Sequence, residues 1–460
     1  MPNILIIPID NRPVCYDLPE MTAQICTEAN VFIPPRELLG GLTTYADYDG
    51  LLEWCKKTTA ENKIDYAILA LDTIAYGGLV ASRRVEISQE EIKNKITTFL
   101  TELQKSNAKI LATSSIMRIS NNNVNEEEKT YWDTFGEKIF KYSFDSHKTD
   151  SAPEHDIPSE ILEDYLSTRK RNYEINLFFL SMLEQKSFDF LVISQDDTAQ
   201  YGLNVKEGQQ LAQIIKEKDL NATIKTGADE IPLTLMTRAF LDFYNEEIKI
   251  TPIYSIPEAK NIVSRYEDVT IEKSLEGQVS ICGAKLAQEG AFSLYLNTPA
   301  QIQDDLAMQI FKDGASIEFK APQGFYAIAD IKLANGSDNA LIKKLLNTPC
   351  SDEFLGYAGW NTTANTLGCV LSASIIAYLA KQKNIFNQEA FDKLLATRLL
   401  DEWAYQANLR QDLRKNPDFD IEKGYIPYIQ KVQEFLDTDF EKISFYFPWD
   451  RTFEVGICLE

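Results

Sequence analysis

The chain has 460 residues and carries 69 acidic against 46 basic side chains, a formal charge of −23, which excludes a surface built to track the phosphates of nucleic acid. Apolar residues make up 44% and charged residues 25%, a globular balance that excludes a disordered or low-complexity chain. Two or three domains fit this length, and the balance is that of an acidic cytosolic protein of bacterial type.

The N-terminal run Asn3–Asp10 reads as a buried strand. It has no basic region before it and is too short to be a signal peptide or a membrane span, so a cytoplasmic location without membrane contact is expected. Further apolar runs of strand length follow at 30–35, 66–73, 109–117, 188–197 and 222–230. Helical spacing lies between them at Gln89–Lys105, Ile161–Glu184 and Lys206–Lys218, the alternation of βαβ units around a mostly parallel sheet, barrel-like or doubly wound. Beyond residue 250, strand-like runs recur in TPIYSI, QVSICGA, FSLYLNT, GFYAIADI and EFLGYAGW, before an apolar helix at Thr366–Lys381. The last sixty residues are polar and mostly helical. The expected organisation is an α/β domain over 1–250, a second α/β unit over 251–385 and a mainly helical cap over 386–460.

Seven scattered cysteines without C-x-x-C spacing indicate neither a disulfide framework nor a structural zinc site. Only two histidines exist, His147 and His155, both in a polar stretch with the look of a loop. A histidine-based triad or metal site therefore has little to be built from, and proton transfer falls to carboxylates, tyrosines or lysines.

Each strand run of the first half ends in residues capable of chemistry, and in a parallel sheet such ends share one edge. They are Asp10, Asn11 and Arg12, then Arg36, Asp72, Arg118, the pair Asp196 and Asp197, and the pair Asp229 and Glu230. The segment YGGLVASRR adds Tyr76, a glycine pair that would let backbone approach a ligand, and Arg83 as an anion-pairing fork. Tyr201 follows the Asp196–Asp197 pair. In GWNTTANTLG, Trp360 could stack on a sugar while Asn361, Thr362 and Asn365 bind hydroxyls or cap the following helix. PWDRTFE near the terminus reads more simply as a docked aromatic tail.

PIDNRPVCYDLP, LALDTIAYGGLVASRR, the Q-D-D-x-x-x-Y-G run, GADE, YAGWNTTANTLG and PWDRTFEV together resemble the bacterial domain-of-unknown-function family 4127 over nearly the whole chain. The resemblance implies that these motifs belong to one site. GADE is also similar to the acid motif of family 20 β-N-acetylhexosaminidases, which implies Asp229 as orienter of an acetamido group and Glu230 as proton donor. Lys225 stands where that family has its histidine, and Ala228 replaces a glycine.

These features point to a carbohydrate-active hydrolase using Asp196, Asp197, Asp229 and Glu230 on a small glycoside, extending to an N-acetylhexosaminide, with no cofactor. The same acids also suit a Mg²⁺- or Mn²⁺-dependent enzyme acting on a phosphorylated or sugar-like substrate. A carbohydrate-binding protein without catalysis is the third class. No P-loop or dinucleotide fingerprint supports a nucleotide.

Overall fold

The computed structural model describes residues 2–27, 29–313, 318–347 and 349–459. Six parallel strands form the first sheet: β1 Asn3–Ile7, β2 Asn30–Phe32, β3 Tyr66–Ala70, β4 Lys109–Ile116, β5 Phe190–Gln195 and β6 Ala222–Thr226, in the order β2-β1-β3-β4-β5-β6. β2 and β6 are its two edges, so the sheet is open and doubly wound, and the barrel-like alternative does not apply. β3 and β5 are buried along their whole length, which is why they read as continuous apolar runs and not as alternating ones.

Five of the next strands, β7 Lys249–Tyr254, β8 Lys285–Leu286, β9 Phe292–Asn297, β11 Tyr326–Asp330 and β13 Phe354–Ala358, make a second parallel sheet in the order β13-β11-β9-β7-β8. β10 Asp304–Asp305 pairs with β12 Leu333–Ala334 beside it. Near the terminus, β14 Ile443–Tyr446 and β15 Gly456–Leu459 form an antiparallel pair, so the last segment is helical with a strand pair added.

The helices sort by the face they cover. Those at Tyr48–Glu61, Gln89–Gln104 and Ser159–Glu184 bury their apolar stripes with Leu5, Ile7, Ala67 and Leu69 on one face of the first sheet. On its other face the helices Pro13–Ala23 and Ile231–Tyr244 pack on Ile4, Ile6 and Ile68, and the same core continues through helix Thr363–Lys383 to the second sheet. Helix Thr363–Lys383 is apolar and long enough to cross a membrane, yet it is almost entirely buried between these layers. Its composition is that of a central core helix.

Two local expectations are corrected. The run QVSICGA is not a strand: Gln278–Ile281 complete the helix Ile271–Ile281, whose side-chain cap is Thr270 accepting from the Lys273 N–H. Ile271, Leu275 and Val279 recur at a helical spacing on its buried face. The polar stretch around His147 is also partly helical, because helix Trp132–Thr149 runs through that residue.

Candidate functional site

β1 delivers Asp10 and Arg12 to the carboxyl edge of the first sheet, and Pro13 starts the next helix immediately after them. The Arg12 guanidinium is buried and bonds three carboxylates. Asp10 accepts from Nε at 2.9 Å and Nη2 at 2.7 Å, Asp229 accepts from Nη2 at 2.5 Å and Nη1 at 3.2 Å, and Glu454 accepts from Nη1 at 3.1 Å. Burial alone would lower the Arg12 pKa, but Asp10, Asp229 and Glu454 outweigh it and raise it. Asp229 is pushed up to about 6, by burial first and against the pull of Arg12. Burial likewise takes Glu454 to about 7. Ligand atoms of Asp10, Cys15 and Asp229 lie within 4.8 Å of one another, a grouping that could hold an ion, but the Arg12 guanidinium already supplies the positive charge bonded to both carboxylates.

A second arginine organises the neighbouring strand ends. Arg118, just past β4, donates from Nη2 to Glu127 at 2.6 Å and from Nη1 to Asp197 at 2.9 Å and Asp196 at 3.4 Å. Arg83 stands behind them within 3.4 Å of Glu127, 3.6 Å of Glu128 and 3.9 Å of Asp196. Arg451 reaches the other Glu127 oxygen at 2.6 Å. Burial works to raise the Glu127 carboxyl, but Arg118, Arg83 and Arg451 overcome it and hold the group well below the usual carboxylate range. Asp197 goes the other way: burial, then the charge of Asp196, takes it to about 7. It also carries a positive φ of 33°, a backbone state that non-glycine residues rarely adopt.

These groups surround a cavity of about 230 Å³ lined by Arg12, Arg118, Arg451, Glu126, Glu127, Asp196, Asp197 and Asp229, with Leu79, Val80, Trp449 and Phe453 as its apolar parts. The C-terminal strap closes one side. Trp449 donates its indole N–H to Asn11 Oδ1 at 2.7 Å, with the Arg12 and Arg451 guanidinium groups 5.0 and 4.6 Å from its ring. The strap is held from outside by residues 399–409, which wind as a π-helix. Tyr405 Oη donates to the Thr452 carbonyl at 2.7 Å and Gln406 Nε2 to that of Phe453 at 3.1 Å, an instance of π-helical geometry beside a candidate site.

The cavity thus gathers Arg12, Arg118, Asp196, Asp197, Asp229 and Asn361, with Asp10, Asn11 and Arg83 directly behind its wall. Other candidates lie elsewhere. Glu230 is fully buried on the far side of the turn at Gly227, where its oxygens accept from Gln278 Nε2 at 2.6 Å and the Ala228 N–H at 3.1 Å. Asp229 and Glu230 therefore face apart, and the acid role inferred for Glu230 has no geometric support. Trp360 is buried and not against the cavity, while Thr362 caps the helix at Thr363 and bonds Asn365. Tyr76 is buried beneath Arg171, and Tyr201 packs edge-on against Phe144 and His147. Asp72 is buried with one oxygen accepting from the Ser115 N–H at 2.9 Å. The Gly77–Gly78 pair serves a close chain crossing and not a ligand: the Ala46 N–H donates to the Gly77 carbonyl at 2.9 Å, and a Cβ on Gly40 would lie 2.0 Å from that oxygen.

Burial raises Glu230 to about 8, so folding favours its neutral form. This contribution to stability is complete below about pH 4.5 and is lost as pH rises through 8, a difference on the order of 4 kcal/mol. Glu230→Gln, which mimics the neutral acid, is expected to flatten the fall of the denaturation midpoint between pH 5 and 8. A midpoint with unchanged pH dependence would contradict that burial.

Residues missed in the sequence include Glu126, Glu127 and Glu454, while Arg451 stood in a segment read mainly as a docked tail. The acidic triplet Glu126–Glu128 lies eight residues past Arg118, in the loop leaving β4, where the strand-end logic applied to Asp196 would have located it. Glu454 has no such local signal, since it meets Arg12 across 442 residues of chain.

Residues 4–458 match the family described as a protein of unknown function, DUF4127, and the chain belongs to that family. No curated protein matches the sequence. Among solved structures, an alpha-L-fucosidase GH29 from Bacteroides thetaiotaomicron aligns over 84% of this chain and 72% of its own, at 10% identity and a TM-score of 0.23. A score that low carries no argument about fold or activity.

Proposed function

We propose that this DUF4127 protein hydrolyses a small glycoside in the cavity at the carboxyl edge of the first sheet, with Asp197 as general acid and Glu127 as the ionised carboxylate. The observation that carries this reading is a single guanidinium, Arg118, bonded to two carboxylates whose protonation is driven in opposite directions. Paired acids with separated pKa values are how an active site divides acid from base work. The fork of Arg118 keeps the two carboxyl groups within roughly 8 Å of each other, compatible with either stereochemical course of glycoside hydrolysis.

In the proposed step the glycosidic C–O bond breaks, the leaving oxygen takes the proton of Asp197, and the anomeric carbon gains the oxygen of water. Glu127 either takes the proton of a water that attacks directly, or attacks that carbon as the leaving group departs; in the second case water then breaks the Glu127 ester bond and gives its proton to the Asp197 carboxylate. Asn361 and Asp229 offer hydrogen bonds to sugar hydroxyls from the same wall. An N-acetylhexosaminide is not part of this proposal, because that specification depended on Glu230 as the acid. The test is release of chromophore from a panel of aryl glycosides at pH 6 without added metal. Turnover of at least one supports the reading, and none across the panel overturns it.

A further inference from the structure

The acid assigned to the reaction is held in part by the second unit of the fold. Asp197 has a φ of 33°, and the next residue, Thr198, donates its backbone N–H to the carbonyl of Tyr266 at 3.1 Å. Tyr266 is itself left-handed, at φ 65°, a state that bulky residues rarely adopt and that persists only where the surroundings enforce it. The restraint lies at the far end of its side chain, where Tyr266 Oη donates to Asp305 Oδ2 at 2.7 Å. Asp305 is fully buried on β10, its backbone N–H and carbonyl both bonded to Ile310 at 2.8 Å.

The other oxygen of Asp305 serves a different part of the cavity wall. Asp305 Oδ1 accepts from Asn335 Nδ2 at 3.1 Å and from the Met308 N–H at 3.0 Å. Asn335, at φ 63°, donates its own N–H to the carbonyl of Asn361 at 2.8 Å, and Asn361, at φ 62°, lines the cavity. One buried carboxyl group thus ends two short chains of contacts, each containing two left-handed non-glycine residues. A group placed for stability alone needs partners, but not partners whose backbones are strained toward one cavity.

We propose that Asp305 is a positioning residue of this site, fixing the direction of the Asp197 side chain through Tyr266 and Thr198 and the setting of Asn361 through Asn335. Its effect on rate rests on the glycosidase reading, whereas its hold on Asp197 and Asn361 does not. A proton donor must lie within hydrogen-bond reach of the leaving oxygen, and a displacement of about 1 Å can cost on the order of 10²-fold in rate.

Asp197 faces Asp196 on its own strand end, Arg118 and Glu127 from the loop after β4, Arg83 behind them, and Tyr266 from the second unit. Burial is the largest cause of its raised pKa. Freeing the segment admits water, so loss of the Tyr266 restraint should lower that pKa toward the ordinary carboxylate range.

Tyr266→Phe removes the hydroxyl and keeps the ring. With ¹³C at the aspartate carboxyl carbons of the full chain, the Asp197 resonance is the one lost in Asp197→Asn. Its titration midpoint, about 7 in the unaltered chain, should fall by at least about half a pH unit in Tyr266→Phe. On an aryl glycoside the same variant should lose about tenfold in kcat. Asn335→Gly, which accepts the left-handed backbone but lacks the amide, should raise KM more than it lowers kcat. Should Tyr266→Phe not fold, Asp305→Asn gives the same expected fall, because its amide cannot accept from Tyr266 while keeping the bonds to Asn335 and Met308. An unmoved midpoint in the folded variant overturns the proposal whatever the rate, and an unchanged KM in Asn335→Gly removes Asn361 from it. A lowered midpoint in a chain that cleaves no aryl glycoside leaves the positioning standing and removes the hydrolase reading. Cleavage with an unmoved midpoint does the reverse.

Discussion

Glu127→Gln is expected to lower kcat on an aryl glycoside by about 10³-fold, or about 4 kcal/mol of barrier, with KM changed far less. The amide keeps the shape and one acceptor for Arg118, but it removes the charge that Arg118, Arg83 and Arg451 hold in place. Glutamine can neither attack an anomeric carbon nor take a proton from water. The Glu127 side chain is only 19% exposed and meets three mostly buried guanidinium groups, so its neutralisation should also cost about 3–5 kcal/mol of stability, and the rate is read on a variant shown to be folded at the assay temperature. A folded variant that retains kcat within threefold would remove Glu127 from the reaction.

Replacing Arg12 by methionine should destabilise the protein by about 3–5 kcal/mol at pH 8, the cost of leaving buried carboxylates without their counterion. Asp10, Asp229 and Glu454 are each 6% exposed or less, and Arg12 is bonded to all three. The penalty should shrink at pH 5. There the Asp229 and Glu454 carboxyls, already raised to about 6 and about 7 with the arginine present, take up protons and cease to repel. Denaturant titrations at the two pH values measure this. An equal midpoint shift at pH 5 and 8 would mean that Arg12 acts by packing and not by neutralising charge. The strap adds a second readout, since Glu454 and Trp449 both lean on Arg12. Loosening it should enhance cleavage by protease within residues 447–455 in Arg12→Met relative to the unaltered chain.

The first sheet was legible because β1, β3, β4 and β5 are buried almost throughout and so appear as mainly apolar runs, with polar residues where each run meets the carboxyl edge. That regularity placed Asp10, Arg12, Arg118, Asp196, Asp197 and Asp229 correctly at one edge. It did not separate Asp229 from Glu230. The two acids are adjacent and chemically alike, and only the turn at Gly227, with φ 99°, decides which of them meets the cavity and which packs among helices. Trp360 and Asn361 divide in the same way, one buried and the other lining the wall. QVSICGA misled because its β-branched residues suit a strand locally, while the helical spacing that wins is visible only when the window reaches back to Thr270. The tail PWDRTFE is docked, as its aromatics suggested, yet it also carries Arg451 and Glu454 into the site. No local pattern announces a contact between residues 12 and 454.

The most direct measurement of the central claim is the pH dependence of kcat for the unaltered chain and for Asp197→Asn on the best aryl glycoside. A general acid must be protonated to act, so the unaltered chain should lose activity as pH rises through about 7, where Asp197 ionises. The acid limb should lie well below the usual carboxylate range, because Glu127 stays ionised there. Asp197→Asn should be slower by about 10²- to 10³-fold, with the limb near pH 7 abolished. An unaltered rate and an unaltered limb in that variant would contradict the assignment of this cavity as the site of glycoside hydrolysis by Asp197 and Glu127.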